Sequence, residues 1–439
     1  MAPTSKSNPI AIIGGGAFGL STALHLVQNN YTDVTVFEQD DQIPPRYSAA
    51  NDLNKIVRAE YEDPFYTDLT VEAIKEAIAA WKTPLFAPHF HQTGFLHCAS
   101  GAAPQKAIDT LRRFQSAATS HPTIAPNVVP LKEPGDIRPW FWQCDGPLPG
   151  WKGYMNQFDG YAHSGNALAS IYRITQAAGV KFFLGAQQGG VQEIVYKNGK
   201  SVGVKTADGK LHASKLVIVA AGAGVGKILP TLGTQIVAKS WSVAHILLSD
   251  EETSTLRGVP VTYARDLGFF FEPDPRTNLL KVCPMGGGYI NTDKTTGVSH
   301  SPFPGNLETS IGVLPAEDEA RIRKLLQQTL PALADRPLVR KSLCWFADTK
   351  DSDFIIDFVP GSKGSVVIAS GDSGHGFKMF PIVGRWVRTL IEDEDQEQKV
   401  MRWRWKEGED RKEDWGGDVS WRLGESRELR DVLPGRVKL

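Results

Sequence analysis

A glycine-rich turn between an apolar strand and a helix carries the clearest chemical signal in the chain. Gly14, Gly16 and Gly19 fit the pattern G-x-G-x-x-G, directly after the apolar run Ile10–Ile13 and before a helical pattern over residues 20–27. In this pattern the first glycine permits a tight turn, the second lets a pyrophosphate approach the backbone, and the third lets helix and strand pack closely. The free N–H groups of the helix N-terminus also favour phosphate, so the turn predicts a dinucleotide site.

Glu38 ends a second apolar strand, which is predicted over residues 34–37. Its carboxylate can accept hydrogen bonds from a ribose diol, whereas it would repel a 2′-phosphate, which disfavours NADP. The strand, turn, helix and acid together predict a dinucleotide-binding fold. They do not distinguish FAD from NAD.

Further elements of such a fold recur far along the chain. Apolar strands are predicted over residues 216–221 and 366–369, each running into glycines, and helices over residues 164–178 and 382–392. These separated stretches predict an α/β protein with a discontinuous Rossmann-like nucleotide-binding domain. The predicted boundaries are 1–90, 152–230 and 344–392 for the nucleotide-binding domain, 91–151 and 231–343 for a second domain, and 393–439 for a C-terminal tail.

The second domain is predicted to be an α+β domain whose mixed or antiparallel sheet covers the substrate. Strands are expected around residues 269–271 and 282, and a helix over residues 317–328. Asn198-Gly199 separates two alternating runs and is typical of a two-residue hairpin turn. The charged tail is predicted to pack on the surface through its tryptophans, Trp403, Trp405, Trp415 and Trp421.

Composition and charge exclude several classes of protein. The 439 residues carry a net charge of −1, which gives no reason to expect a nucleic-acid or membrane partner. No apolar run approaches the ~18–20 residues of a membrane span, and the N-terminus has no signal-peptide core. The four cysteines show neither a C-x-x-C pair nor metal-ligand spacing, so we expect no metal and an intracellular protein. Val437-Lys438-Leu439 partly resembles a peroxisomal address, which leaves the cytoplasm or the peroxisome.

Besides the glycine turn, four motifs stand out: Asn51-Asp52-Leu53-Asn54-Lys55-Ile56-Val57-Arg58, Lys281-Val282-Cys283, Cys344-Trp345-Phe346-Ala347-Asp348-Thr349 and Gly371-Asp372-Ser373-Gly374-His375-Gly376-Phe377-Lys378. Their order and spacing, over residues 8–395, resemble the sarcosine oxidase group of FAD-dependent amine oxidases. That group includes the fungal fructosyl amino acid oxidases, or amadoriases, and the pipecolate and saccharopine oxidases. The resemblance implies that the cofactor is FAD.

The resemblance also implies that Cys344 bonds covalently to the 8α-methyl carbon of the flavin. A thiolate beside that electrophilic carbon needs no partner cysteine, because the flavin itself can act as the oxidant. Its residue type alone favours a core cysteine packed beside Trp345. The other three, Cys98, Cys144 and Cys283, are predicted to be small buried apolar residues.

Two lysines are implied beside the reacting part of the flavin. The family counterpart of Lys281 lies under the flavin N5 edge, where a cation stabilises charge that develops on oxygen in a dry pocket. Lys55 matches a second basic position beside the flavin. From the strand pattern alone, Lys281 could instead belong to a solvated face.

Arg58 and Lys378 match positions that bind the substrate carboxylate in sarcosine-oxidising relatives. A guanidinium can hold a carboxylate bidentately, and a lysine adds a point charge. Arg58 could instead pair with Glu60 or Glu62 at the surface. After the Lys-x-Cys motif, fructosyl oxidases tend to carry Asp-Glu and sarcosine-type relatives a nearby histidine. Met285 matches neither pattern, so it predicts an unusually apolar substrate pocket.

Taken together, the resemblance implies an FAD-dependent oxidase of the C–N bond of a secondary amine, an N-substituted or cyclic L-amino acid. O2 would be the acceptor, and the products would be hydrogen peroxide and an imine that water hydrolyses, without need of a protein base. A fructosyl amino acid or peptide oxidase is the nearest alternative, and a nucleotide-holding protein without turnover is the alternative of another class. We expect a monomer. The implied cofactor contacts are Gly14, Gly16, Phe18, Gly19, Glu38, Lys55, Cys344, Gly374, Gly376, Phe377 and Lys378.

Overall fold

The computed structural model describes residues 4–46, 48–75, 80–301, 310–406 and 424–433. The strands in these ranges, in chain order, are β1 Ile10–Ile13, β2 Val34–Glu38, β3 Lys55–Val57, β4 Phe90–His91, β5 Phe95–Ala99, β6 Val128–Leu131, β7 Lys152–Asn156, β8 Gly160–Ala162, β9 Lys181–Leu184, β10 Val191–Lys197, β11 Lys200–Thr206, β12 Leu211–Ala213, β13 Leu216–Val219, β14 Ile236–Leu247, β15 Val261–Ala264, β16 Gly268–Phe270, β17 Leu279–Pro284, β18 Tyr289–Ile290, β19 Leu338–Thr349, β20 Ile355–Phe358, β21 Val366–Ser370 and β22 Arg427–Glu428. The α-helices are α1 Ala17–Val27, α2 Pro64–Lys75, α3 Gln105–Ser120, α4 Pro134–Ile137, α5 Ser164–Ala177, α6 Val225–Ile228, α7 Asp250–Thr255, α8 Ala316–Thr329, α9 Val383–Glu392 and α10 Leu429–Val432.

Six strands form the sheet to which the glycine turn belongs. Their order is β20-β21-β13-β1-β2-β9, and every neighbouring pair is parallel except β20 with β21. β1 lies between β13 and β2 and is buried along its whole length, which explains its uninterrupted apolar sequence. Helices α5 and α9 both pack against α1. The predicted α/β architecture with a Rossmann-like FAD domain is confirmed.

A larger mixed sheet contains most of the remaining strands. Its order is β22-β18-β14-β17-β16-β15-β5-β7-β6, with β19 paired to β14. Only β15 with β5 and β18 with β22 are parallel pairs among these described strands. Helix α8 packs on β16 and β17. The predicted mixed sheet, its strands near residues 269–271 and 282, and its helix are therefore present.

Two three-stranded sheets complete the described fold. In the first, β10-β11-β12, the hairpin turns at Asn198-Gly199, where both residues have positive φ, as the sequence predicts. In the second, β3-β8-β4, β3 pairs antiparallel with β8. β3 begins at Lys55 and ends one residue before Arg58, so this small sheet positions both basic residues.

Some elements depart from the sequence expectations. β7, which was expected in the nucleotide-binding domain, pairs with β5 and β6 in the larger sheet, and β19 runs across the expected boundary at residue 344. The domain boundaries therefore remain a prediction. Trp403 is buried against Trp386 and Trp405 is half-buried, whereas Trp415, Trp421 and Val437-Lys438-Leu439 lie outside the described residues. No helix in the described ranges has the length and apolar character that a membrane crossing requires.

Candidate active site

The glycine turn joins β1 to α1 without any intervening loop. Gly14 has a φ of 110°, a conformation that favours glycine, and a Cβ there would collide with the Ala220 carbonyl just beyond β13. A Cβ on Gly19 would collide with the Gly14 carbonyl, so the helix lies directly on the turn. Gly16 precedes the helix and provides no side-chain cap. The first N–H groups of α1 therefore face the space beyond the turn.

Glu38 is buried at the end of β2, with its carboxylate against the glycine turn. One carboxylate oxygen accepts the Gly15 N–H at 2.8 Å, and the other accepts the Asp40 N–H at 2.9 Å. Burial raises the pKa of Glu38, and these two hydrogen bonds offset only part of that rise. The carboxylate therefore stabilises the glycine turn, a role that the sequence did not predict. Glu38 also lines the cavity described next.

A cavity of about 610 Å³ runs from the glycine turn to Cys344. Gly19 and Gly376 are not among the residues that line it. A Cβ on Gly376 would come within 3.1 Å of the ring of Phe18, which does line it. Asn54, next to the cavity-lining Lys55, is fully buried, and both polar atoms of its side chain lack a partner among the described residues. An open helix N-terminus and a buried acid at the end of β2 fit FAD, the cofactor that the resemblance implies. The predicted contacts that line this cavity are Gly14, Gly16, Phe18, Glu38, Lys55, Cys344, Gly374 and Phe377.

Asp52 joins two lysines where the cavity ends. The Lys281 ammonium lies 2.6 Å from Asp52 Oδ2 and 2.8 Å from the Asn54 carbonyl oxygen. The Lys55 ammonium lies 2.8 Å from the same Asp52 oxygen. Although burial alone would raise the pKa of Asp52, the charges of Lys281 and Lys55 hold it well below its ordinary value. Lys281 is 2% exposed, so the alternative that it belongs to a solvated face is wrong.

Cys344 lies beside this cluster and partly faces the cavity. The Lys55 ammonium donates a hydrogen bond to the Cys344 sulfur at 3.4 Å. Cys98, Cys144 and Cys283 are buried, as predicted, and all four cysteines are free. Cys344 is therefore the one among them that combines partial exposure with a cationic neighbour at the cavity.

The side chains of Arg58 and Lys378 both contact the ring of Tyr61. The Arg58 guanidinium carbon is 4.9 Å from the ring centre, and Lys378 Nζ is 4.7 Å from it. The Lys378 ammonium also donates to the Tyr61 hydroxyl at 2.8 Å. Arg58 donates to the Glu60 backbone carbonyl at 2.6 Å, not to a carboxylate, and Glu62 pairs with Arg113. The surface ion pair considered for Arg58 is therefore not formed.

Met285 lies away from these residues, at a second cavity of about 380 Å³ that shares Trp241 with the first. Its carbonyl accepts a hydrogen bond from Arg321 at 2.9 Å. Glu317, Asp318 and Arg321 also line this cavity. Charged side chains from α8 therefore lie at the same cavity as Met285. Its expected part in an unusually apolar substrate pocket remains a prediction.

The sequence reasoning gave no role to Asp52 and Tyr61, and it did not consider Arg265. Asp52 belongs to the motif that also contains Lys55 and Arg58, and Tyr61 follows Arg58 by three residues. Their closeness in sequence to these basic residues is the signal that could have identified them. Another missed group is Asp372, which lines the cavity, accepts the Ala347 N–H at 2.9 Å and has its pKa raised by burial to about 6.

Comparison with known proteins matches residues 9–390 to the family described as FAD dependent oxidoreductase. L-saccharopine oxidase of Schizosaccharomyces pombe is 31% identical over 430 residues, which cover 95% of this chain and 96% of that protein. Monomeric sarcosine oxidase of a Bacillus species is 33% identical over 193 residues, covering 43% of this chain and 46% of its own. The crystal structure of amadoriase I, a fructosyl amine:oxygen oxidoreductase from Aspergillus fumigatus, has a TM-score of 0.85 and 33% identity, covering 99% of this chain and 98% of that one.

The chain therefore belongs to the FAD-dependent oxidoreductase family. Within that class it is an oxidase of amine C–N bonds, similar to the sarcosine, saccharopine and fructosyl amine oxidases. FAD, not NAD, is its dinucleotide. That the similar proteins are oxidases favours an enzyme over a nucleotide-holding protein without turnover.

Proposed function

We propose that the protein oxidises a secondary amine that carries a carboxylate, an N-substituted or cyclic L-amino acid, to an imine, with O2 reduced to hydrogen peroxide. The supporting observation is the placement of Arg58 and Lys378 around Tyr61, close to the end of the cavity. Lys378 directly follows Phe377, which lines the cavity, and Arg58 follows Lys55 by three residues. Both cations therefore adjoin, along the chain, elements that reach the cavity.

Arg58 and Lys378 would bind the carboxylate. Arg58 uses one N–H group on the Glu60 carbonyl and retains the rest of its donors, and Lys378 retains two of its three N–H groups beside the Tyr61 hydroxyl. Charge-assisted hydrogen bonds of this kind are strong when water is excluded. The likeness to L-saccharopine oxidase, whose name gives an amino acid as its substrate, supports this assignment.

FAD bound in the cavity would supply the hydride acceptor and the group that reduces oxygen. The uncapped N-terminus of α1 and Glu38 would hold its nucleotide half. Cys344 would anchor it covalently through a bond from Sγ to the 8α-methyl carbon. Lys55 would position that sulfur, to which it donates a hydrogen bond at 3.4 Å.

Lys281 would stabilise the negative charge that develops on oxygen. Its ammonium is fixed by Asp52 and the Asn54 carbonyl, and the Phe271 ring centre lies 5.1 Å from it. In such a buried site a fixed positive charge acts more strongly than in water. Asp52 would be a positioning residue, since one carboxylate orients both Lys281 and Lys55.

No protein base is assigned in this proposal. If the amine arrives neutral, the chain has only to orient the reacting C–H bond, hold the carboxylate and exclude water. We also propose that the protein acts as a monomer. O2 reaches the site as a free second substrate.

A fructosyl amino acid oxidase is the second candidate, and the likeness to amadoriase I favours it. Pro284-Met285, at the place where the resemblance leads us to expect Asp-Glu in fructosyl oxidases, argues against it. A peroxide assay with sarcosine, pipecolate, saccharopine, N-methyl amino acids and fructosyl-valine separates the two. We expect turnover of carboxylated secondary amines and little of fructosyl-valine. Turnover of fructosyl-valine alone would contradict the proposal.

A further inference from the structure

Arg265 is a buried arginine that the proposed chemistry does not use. It directly follows β15, and it is 1% exposed. Among the described residues its Nη1 contacts His97 Nε2 at 3.3 Å, while Nε and Nη2 have no hydrogen-bond partner. Nε and Nη2 form one edge of the guanidinium, an edge that matches the two oxygens of a carboxylate. Burying that edge unpaired is unfavourable, so it points to a ligand.

The histidine beside Arg265 does not neutralise its charge. Burial, followed by the charges of Arg265 and Arg58, lowers the pKa of His97 well below its ordinary value. The neutral ring accepts from Arg265 at Nε2, which leaves Nδ1 to face the Tyr154 hydroxyl at 2.7 Å. Tyr154 in turn donates to Glu60 at 2.7 Å. The side chains of His97 and Tyr154 therefore lie between Arg265 and the Glu60 carboxylate.

Arg265 belongs to a row of three cations separated by two aromatic rings. The Phe114 ring centre lies 5.3 Å from the Arg265 guanidinium carbon and 4.4 Å from that of Arg58. Arg58 and Lys378 both contact Tyr61, so the row reads Lys378, Tyr61, Arg58, Phe114, Arg265. In the part of the chain that the structure describes, none of the three cations forms an ion pair with a carboxylate. The three side chains therefore keep hydrogen-bond donors that no carboxylate in the described ranges accepts.

A run of aromatic side chains connects Arg265 to the lysine cluster. The Tyr263 ring centre lies 5.9 Å from the Arg265 guanidinium carbon, and Tyr263 stacks on Phe269 at 5.4 Å. Phe269 contacts Phe271 at 5.7 Å, and Lys281 Nζ lies 5.1 Å from the Phe271 ring centre. Tyr263 and Phe269 are only half-buried. Their exposed faces offer an apolar wall between the cations and the place where oxygen would be reduced.

We propose that Arg265 binds a second carboxylate of the substrate through Nε and Nη2, so that the substrate amine joins two arms that each carry a carboxylate. The chemical class is that of N-(carboxyalkyl) amino acids. This inference rests on the proposed function, in which Arg58 and Lys378 bind the first carboxylate. A substrate with one carboxylate would leave the Arg265 edge unpaired.

Calorimetric titration of the holoenzyme with thioether acids tests this without turnover, because sulfur replaces the oxidisable nitrogen. The probes are (methylthio)acetate, with one carboxylate, and a series HOOC–CH2–S–(CH2)n–COOH of increasing chain length, with two. The best diacid should bind the wild type about tenfold or more tightly than the monoacid. Arg265→Gln should remove that advantage and leave the monoacid affinity within about twofold, whereas Arg265→Lys should keep part of the advantage.

Equal binding of the monoacid and every diacid to the wild type would overturn the proposal, as would a diacid advantage that survives Arg265→Gln. If the glutamine variant does not fold, the half-amide of the best diacid replaces it. In the wild type the half-amide should bind about as weakly as the monoacid, and binding as tight as that of the diacid would overturn the proposal. Arg58→Gln should weaken the binding of both the monoacid and the diacid. If it weakens the binding of neither, the proposed site for the first carboxylate is wrong. That outcome is distinguishable from failure at Arg265, which is measured by the ratio of diacid to monoacid affinity.

Discussion

The Lys281 ammonium lies 2.6 Å from the Asp52 carboxylate, although 229 positions separate the two residues in the sequence. The same carboxylate oxygen is 2.8 Å from Lys55, which reaches Cys344 on its other side. One aspartate therefore fixes the positions of two lysines that have different proposed roles, oxygen activation and cofactor attachment.

Asp52→Asn should destabilise the fold strongly, because it leaves two neighbouring cations without their shared counter-ion. Breaking a buried ion pair in this way costs about 3–5 kcal/mol of the free energy of unfolding. The measurement is urea unfolding of the variant beside Asp41→Asn, whose side chain is 72% exposed in its pair with Arg46. The exposed pair should contribute at most about 1 kcal/mol. Equal losses in the two variants would contradict the role of Asp52.

The same ion pairs should be insensitive to pH around neutrality. The pKa of Asp52 is held below its ordinary value, so its contribution to stability is fully present above a pH of about 4. It is lost only as the pH falls from there through the lower pKa of the folded state. The difference in unfolding free energy between wild type and Asp52→Asn should therefore be constant from about pH 6 to about pH 8.

Lys281→Met should slow reoxidation of the reduced flavin by about a hundredfold or more, since one well-placed charge in such a site contributes ~3 kcal/mol. Anaerobic reduction by substrate should change much less. Stopped-flow absorbance measures the two half-reactions separately. Lys239→Met removes another buried lysine, one paired with Asp348, and should leave reoxidation within a few-fold of the wild type. Normal reoxidation in Lys281→Met would remove this lysine from the proposed mechanism.

Cys344→Ala should abolish covalent attachment of the flavin. After acid denaturation the wild-type pellet should stay yellow, whereas the variant should release its flavin to the supernatant. Cys283→Ala is the matched control, because Cys283 is a buried free cysteine whose pKa burial raises to about 12. Wild-type flavin that washes out after denaturation would show that Cys344 is not the attachment site.

Local patterns were enough to predict much of the fold. β1, β2 and the hairpin at Asn198-Gly199 are fixed by nearby residues, through apolar runs and a turn pair that accepts positive φ. The pairing of Asp52 with Lys281 could not be predicted in this way, because it depends on how β17 meets the loop before β3. The resemblance placed Lys281 near the flavin but said nothing about its counter-ion. Arg265 gave no signal at all, since one arginine after a strand is ordinarily solvated.

Binding of a carboxylate should weaken as the pH rises, because Lys378 must be protonated to bind it. Burial, and then the charge of Arg58, lower the pKa of Lys378 well below its ordinary value of about 10.4. The dissociation constant of (methylthio)acetate should therefore begin to rise below about pH 10, at a lower pH than an ordinary lysine would cause. In Arg58→Gln the rise should move to higher pH, because a neighbouring positive charge is gone. An affinity that stays constant up to about pH 10 and falls only above it would contradict a carboxylate site built on Lys378 with a lowered pKa.

The most direct test of the proposed function compares turnover of the carboxylic acid substrate with that of its amide, in the wild type and in Arg58→Ala. We expect the wild type to prefer the acid, and Arg58→Ala to raise the apparent substrate constant for the acid by about ten- to a hundredfold, because charge-assisted hydrogen bonds contribute roughly 1.5–3 kcal/mol each. The amide should lose little further in the variant, since its contact with Arg58 is already missing. Equal turnover of acid and amide by the wild type would contradict recognition of a carboxylate and favour a fructosyl amine as the substrate.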